Sequence, residues 1–279
     1  MTTLVIGASS QIGRFLLPCL VARGEPVLAL SRQPRAARDG VQWALGELPD
    51  ALPPLPVLDA IVSFGPLDRL AAWLARGEVS GAPRVVAISS MSAQSKRESP
   101  VLAERALARR LRDGEAALAA ACRQSGSAWT VLRPTLIYGA GLDRSLTPIA
   151  RRALRTRVFP LPAGRGLRQP VHAEDIALAV LAALDRIDSA QKVIEIGGGE
   201  RLRAGAMFAR VRHSLPRMTM PVPLPALLLR LAARMLPRWR GPLHRLDEDL
   251  VADNAELQRV LGVCPRAFQP DTGCWSAVE

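Results

Sequence analysis

The chain has 279 residues, a formal net charge of +12 and an apolar content of 49%. That length suits one large domain with a smaller appended part, and no internal repeat or low-complexity tract interrupts it. No apolar run approaches the ~20 residues of a membrane span, and the first residues enter a strand rather than a secretory leader, so a cytoplasmic protein is expected. Four cysteines without a C-x-x-C pair and three scattered histidines predict neither a metal site nor a disulfide framework. Of 37 basic residues only Lys96 and Lys192 are lysines. The charge favours anionic ligands: nucleotide cofactors, phosphorylated or carboxylate substrates, or an acidic membrane surface. With one tyrosine, five phenylalanines and no basic–aromatic array, nucleic acid is not expected as a partner.

The first fifteen residues, MTTLVIGASSQIGRF, carry the most information. Leu4–Ile6 is an apolar run of buried-strand length, Gly7 opens a turn, Gly13 lies in the first helical turn, the helix ends at Gly24, and Val27–Leu30 is a second strand. This is one βαβ unit. A helix start carries unpaired N–H groups and partial positive charge, which can hold a pyrophosphate. Gly7, Ser9, Ser10, Gln11, Ile12 and Gly13 are therefore cofactor-binding candidates. Ser10 stands where a further glycine is usual and offers a hydroxyl instead. Gly13 allows close approach either of helix and strand or of helix and phosphate.

The second strand runs into Ser31-Arg32-Gln33-Pro34-Arg35. An acidic side chain here would accept from the adenosine ribose and repel a 2′-phosphate; a hydroxyl followed by arginine does the reverse. Ser31, Arg32 and Arg35 predict NADP(H) ahead of NAD(H). Val41–Leu45 is a third strand, with Glu47 in reach of the adenine. Asp59–Phe64 is a fourth, exiting through Phe64 and Gly65, and a helix follows over Leu67–Arg76. Val85–Ile88 is a fifth, ending in Ser89 and Ser90. Ser92–Pro100 reads as a polar loop, and a long helix covers Val101–Gln124. Ser127–Leu132 is a sixth strand, followed by Arg133-Pro134-Thr135-Leu136-Ile137-Tyr138-Gly139. Thr147–Thr156 is a basic helix, Arg165–Val171 leads to an edge strand, Glu174–Leu184 is an apolar helix, and Lys192–Ile196 is a late strand. Ligands of such sheets bind at the carboxyl ends of strands.

Four segments in this order, GASSQIG, AISSMS, LRPTLIYG and QPVHAEDIALAV, with the ending LQRVLGVCPRAF, resemble the extended and atypical short-chain dehydrogenase/reductases, the NAD(P)-dependent sugar-nucleotide epimerase/dehydratase family. The resemblance covers nearly the whole chain. It implies an α/β Rossmann fold: a doubly wound parallel sheet with a small C-terminal substrate cap. The cofactor domain would span 1–140, with 168–200 returning to it; 141–167 and 201–279 would form the cap. It implies that Gly7, Ser10 and Gly13 line a pyrophosphate, that Arg32 meets the 2′-phosphate, that Ser89 and Pro134 adjoin the cofactor, and that Ser90 and Tyr138 are the catalytic candidates.

One departure stands out. The family pairs a tyrosine and a lysine four residues apart on the helix after the fifth strand, and counting back from Glu115 puts Leu107 and Leu111 there. Neighbouring registers offer arginines, which stay charged and give up no proton near neutral pH. The proton can come from Ser90, Lys96, Tyr138 or His172, the substrate can need no protein acid, or the chain can bind cofactor without turnover. The plain readings are a solvated Lys96, a packed Tyr138, a His172 that caps the next helix, an Asp175 at that helix start, and a Glu115 that faces solvent or pairs with a nearby arginine such as Arg112. The arginines at 151, 152, 155 and 157 read as a solvated helical face. The Leu224–Leu236 stretch reads as a cap helix, with weak attachment to an acidic membrane left open. The expected function is an NADPH-dependent oxidoreductase or epimerase-like enzyme acting on a small, anionic or nucleotide-sugar-like substrate. The competing reading is a non-catalytic NADP(H)-binding sensor or assembly protein. A homodimer is compatible with either.

Overall fold

A computed structural model describes residues 1–225 and 245–276. In chain order the elements are β1 (Thr3–Ile6), α1 (Gln11–Ala22), β2 (Val27–Ser31), β3 (Val41–Leu45), β4 (Ala60–Ser63), α2 (Leu67–Leu74), β5 (Arg84–Ile88), α3 (Ser92–Ser95), α4 (Leu102–Ser125), β6 (Trp129–Pro134), β7 (Ile137–Tyr138), α5 (Leu146–Thr156), β8 (Val158–Pro162), β9 (Leu167–Arg168), β10 (Val171–His172), α6 (Ala173–Asp185), β11 (Lys192–Ile196), β12 (Leu202–Arg203), α7 (Ala204–His213) and β13 (Met220–Leu224). Seven strands form one parallel sheet in the order β11-β6-β5-β4-β1-β2-β3. The order reverses between β1 and β4, and the crevice beyond their carboxyl ends is where ligands of wound sheets lie.

Side chains alternate across this sheet with the period of two that a strand imposes. Val5, Ala29, Val62 and Val86 face one layer, filled by α1 and α6. Leu4, Ile6, Leu28, Ile61 and Val85 face the other, filled by α2 and α4. Both faces are covered, so the central strands are predominantly apolar, with polar residues such as Thr3, Ser63 and Arg84 at strand ends, as is usual for parallel sheets. A Cβ on Gly13 would lie 2.2 Å from the Ala8 carbonyl oxygen. Of the two close approaches open to Gly13, helix against the strand's own exit is therefore the one present.

A third apolar cluster joins residues of both late segments. Tyr138, Leu146, Phe159, Met207, Phe208, Phe268 and Trp275 are all buried in it. Its β8 and β13 pair in parallel over five residues, an element absent from the sequence reading because prolines punctuate both strands. The edge strand expected after Arg165 is corrected. Pro170, which has no N–H to give, splits that run; β9 pairs antiparallel with β12, β10 pairs with β7, and the central sheet ends at β11 and β3. The polar loop expected over Ser92–Pro100 contains the one-turn α3. Most of the Leu224–Leu236 stretch, with its arginines, lies outside the described residues. Among those described, no helix is long and apolar enough to cross a membrane.

Replacing Gly13 by alanine drives a methyl group into the Ala8 carbonyl. We expect Gly13→Ala to lower stability by about 1–3 kcal/mol, read as a lower urea midpoint.

Candidate active site

The glycine turn leads the chain from β1 into α1. Gly7 has φ +75°, a conformation costly for any side chain, and a Cβ there would come within 3.2 Å of the Cβ of Phe64. Ser10 caps α1: its Oγ accepts from Gly13 N at 3.2 Å, which leaves the hydroxyl hydrogen free to donate. Ser9, Ser10 and Gln11 line one side of a cavity of about 450 Å³, faced by Leu136, Leu142, Arg144 and Ser145. Ile12 is buried in the core and offers only main chain. Two buried atoms at this turn have no partner, Gln11 Oε1 and Arg14 Nη1. An unsatisfied guanidinium nitrogen in the first turns of a helix fits a diphosphate, and Arg14 was not singled out in the sequence because its position matches no glycine-motif site.

At the end of β2, Ser31 Oγ donates to Gln33 O at 2.7 Å and accepts from Arg35 Nε at 3.4 Å. Arg32 is exposed, its Nη1 4.0 Å from Glu47 Oε1. Glu47 is held more closely by Arg69 Nη1 at 2.6 Å, so Arg32 is only weakly engaged. After β4, Phe64 N donates to Ile6 O at 2.9 Å and Gly65 N to Ser63 Oγ at 3.3 Å. These contacts fix the exits of β1, β2 and β4 around one crevice.

An ion pair joins α4 to the carboxyl ends of β5 and β6. Glu115, on α4, is buried. It accepts from Arg133 Nε at 2.9 Å and Arg133 Nη2 at 2.5 Å, and also from Ser89 Oγ. The expectation of a solvated Glu115, or one paired with Arg112, is corrected: Arg112 instead donates to Ala93 O at 2.8 Å. Ser89 thus spends its hydroxyl on Glu115. Ser90 Oγ accepts from Ser92 N at 3.1 Å, capping α3 while its own proton stays available. Pro134 closes β6, and its carbonyl accepts from Met91 N at 2.9 Å.

Tyr138 is buried at 1% exposure, edge-on to His172 at 5.1 Å and to Phe268 at 4.8 Å. Burial pushes its phenol well above the usual tyrosine range. His172 begins α6, with Nδ1 accepting from Glu174 N at 3.3 Å, and burial holds its imidazole below the ordinary 6.5. Asp175, in the first turn of α6, accepts from Arg266 N at 3.0 Å and Arg266 Nε at 2.9 Å.

A cleft of about 890 Å³ lies between α3, the start of α4 and the late segments, lined among others by Lys96, Glu104, Leu136, Arg144, Arg168 and Arg245. Leu136, Arg144 and Ser145 also line the smaller cavity at the glycine turn, so the two share a wall. That wall is built by Asp143, a buried carboxylate. It accepts from the N–H groups of Ser145, Leu146 and Thr147 at 2.9, 2.6 and 3.1 Å, capping α5. Arg168 is buried and donates to the carbonyls of Leu167 at 2.8 Å, Glu248 at 2.5 Å and Arg245, which pins residues 245–248 over the cleft. Within the arginine run of α5, Arg151 is structural, donating to Gly141 O at 2.8 Å and Trp275 O at 3.2 Å; Arg152 and Arg155 are exposed.

Residues 68–197 match the family model described as the NAD dependent epimerase/dehydratase family. Over that span the chain is similar to this family. A UDP-glucose 4-epimerase of Vibrio cholerae is 22% identical over 156 residues, covering 55% of this chain and 47% of that enzyme, so the match spans about half the length of that relative. Among solved structures, MoeE5 in complex with UDP-glucuronic acid and NAD superposes with a TM-score of 0.73 at 18% identity, covering 99% of this chain and 98% of the other. A UDP-glucose 4-epimerase from Thermotoga maritima with UDP-glucose superposes at 0.70 and 15% identity, covering 99% and 97%. The structural matches bear out the doubly wound α/β architecture read from the sequence.

Removing one partner of a buried ion pair strands the other. Glu115→Ala should lower unfolding free energy by about 3–5 kcal/mol. The double variant Glu115→Ala/Arg133→Ala should recover part of that loss, measured as urea midpoints at fixed pH.

Proposed function

We propose that the chain is a nicotinamide-dinucleotide-dependent oxidoreductase or epimerase-like enzyme. It acts on a carbonyl or hydroxyl carbon of an anionic, nucleotide-sugar-like substrate. The observation that carries this reading is the shared wall: the glycine-turn cavity and the larger cleft meet at Leu136, Arg144 and Ser145. A dinucleotide on the turn would bring its nicotinamide end to the substrate cleft beside Ser90. The solved relatives captured with NAD, and with UDP-glucose or UDP-glucuronic acid, support a dinucleotide and a nucleotide sugar as the ligand classes.

Within this reading the turn from Gly7 to Gly13, with Arg14, holds the diphosphate. Ser31, Arg32 and Arg35 meet a 2′-phosphate, which favours NADPH over NADH. Phe64 and Gly65 border the adenosine side. Ser90, whose hydroxyl hydrogen is uncommitted, bonds the reacting oxygen. Ser89 and Pro134 act through Glu115 and Met91 rather than by touching the cofactor. Tyr138 serves as a wall: its burial and raised pKa oppose proton exchange. The dinucleotide supplies hydride chemistry when bound; the chain's part is to orient the carbon, bond its oxygen and exclude water.

A second reading, a cofactor-binding protein without turnover, is favoured by Leu107 and Leu111 on the face of α4 where the family carries its acid–base pair. The two part company in a turnover assay over carbonyl and UDP-sugar substrates. NADPH that binds and is never consumed supports the second.

Calorimetry tests the phosphate end. Arg32→Ala should weaken NADPH by roughly tenfold or more, the scale of a lost charge-assisted hydrogen bond, and leave NADH nearly unchanged. Equal losses for both would contradict the assignment. Ser90→Ala should reduce kcat by roughly a hundredfold, the order seen when a donor at a developing oxyanion is removed, with coenzyme affinity retained. An unaltered kcat would exclude Ser90 from the chemistry.

A further inference from the structure

The helix face that carries the family's acid–base pair is aliphatic here, yet the cleft is not without a titratable group. α3 begins at the Ser90 cap and ends at Lys96. Arg112 clamps this turn to α4 through Ala93 O, so α3 is held at its start and within its turn. Lys96 lines the 890 Å³ cleft, is half-buried, and its ammonium makes no hydrogen bond or ion pair with a described residue. The charged groups around it are already engaged. Glu104 accepts from Ser99 Oγ at 2.7 Å and pairs with Arg245 Nε at 3.5 Å. Arg168 is spent on carbonyls. The chain's other lysine, Lys192, pairs with Glu256 at 3.3 Å and lies on β11, the outermost strand beside β6.

We propose that Lys96 is the catalytic residue that bonds the substrate oxygen and moves its proton, entering from α3 rather than from α4. The inference rests on the dinucleotide-site reading above, which supplies the hydride by class. In the reductive direction the carbonyl carbon receives a hydride with its electron pair, the C–O π pair moves to oxygen, and the oxygen takes a proton from the Lys96 ammonium. The neutral amine regains a proton from water. In the oxidative direction the amine takes the hydroxyl proton as hydride leaves the carbon. An amine suits this role where arginine does not, because its ionisation can be brought toward neutrality. Burial and the nearby Arg245 push Lys96 below the ordinary 10.5, and Glu104 opposes them.

Two lysines in the whole chain make the test direct. Both are dimethylated with ¹³C-formaldehyde in the full-length protein, and their methyl signals are followed against pH by NMR. Lys96→Gln assigns the pair. The titration is run on the apoprotein and on protein carrying NADPH, with UDP-glucose or UDP-glucuronic acid as probe. The expected result is a Lys96 signal that titrates at lower pH than Lys192 and shifts with a UDP-sugar. Lys96→Gln should then lower kcat by roughly a hundredfold at unchanged NADPH affinity. Two results each overturn the proposal: a Lys96 that titrates together with Lys192, or one that ignores both sugars in a sample that calorimetry shows to be coenzyme-loaded. Failure of NADPH to bind at all sinks the underlying reading instead.

Discussion

The buried carboxylate of Glu115 ties together three elements that the sheet alone would leave independent. Ser89 follows β5, Arg133 lies next to the end of β6, and Glu115 rises from the middle of α4; one carboxylate accepts three hydrogen bonds from Ser89 and Arg133. In a low-dielectric interior such a pair is strong only while every oxygen is bonded, and costly when broken. The crossover helix is thereby locked in register with the strand ends. Ser90 follows Ser89, α3 follows Ser90, and the cleft wall follows α3. The residues proposed to meet a substrate thus inherit their positions from one that is not.

The opposite wall is built by a similar device with neutral partners. Asp143 gathers the free N–H groups at the start of α5, and Arg168 gathers carbonyls from the segment that begins at Arg245. Each buried charge spends itself on backbone dipoles, which orders loops that have little apolar surface of their own. The apolar cluster around Phe159, Phe208 and Phe268 then supplies the mass of the late segments. Charge at the rim and packing behind it give a cleft with fixed walls between two cores.

Much of this was legible in the sequence, for physical reasons. A parallel strand buried on both faces is a nearly continuous apolar run, and β1, β2, β4 and β5 announce themselves that way. The βαβ turn is legible because glycine alone tolerates Gly7's backbone and Gly13's contact with Ala8. Glu115 was misread because local rules see only three or four residues along a helix, whereas Arg133 lies eighteen residues away on a strand. Strands β8 and β13 were invisible because five-residue runs with prolines at ladder positions look like linkers. Lys96 was legible as one of four candidate proton sources, set against the plain reading of a solvated lysine, because a polar loop and a cleft wall have the same composition until the late segments close over them.

If, as the proposed reading has it, the face of α4 at Leu107 and Leu111 carries no acid–base pair, the division of labour in the fold leaves the architecture undisturbed. The cofactor half of the crevice is made of backbone: a glycine turn, a helix start and strand exits, none of which depends on the exposed face of α4. On that reading the chemical half is made of side chains from α3 and the start of α4 that line the cleft. Leu107 and Leu111, further along α4, are both half-buried. Nothing in the sheet, the ion pair or the α5 cap requires a phenol there. A proton-exchanging group is free to come from any element that reaches the same oxygen, and α3, anchored at one end by Ser90 and clamped in its middle by Arg112, is one that the fold holds in place beside the cleft.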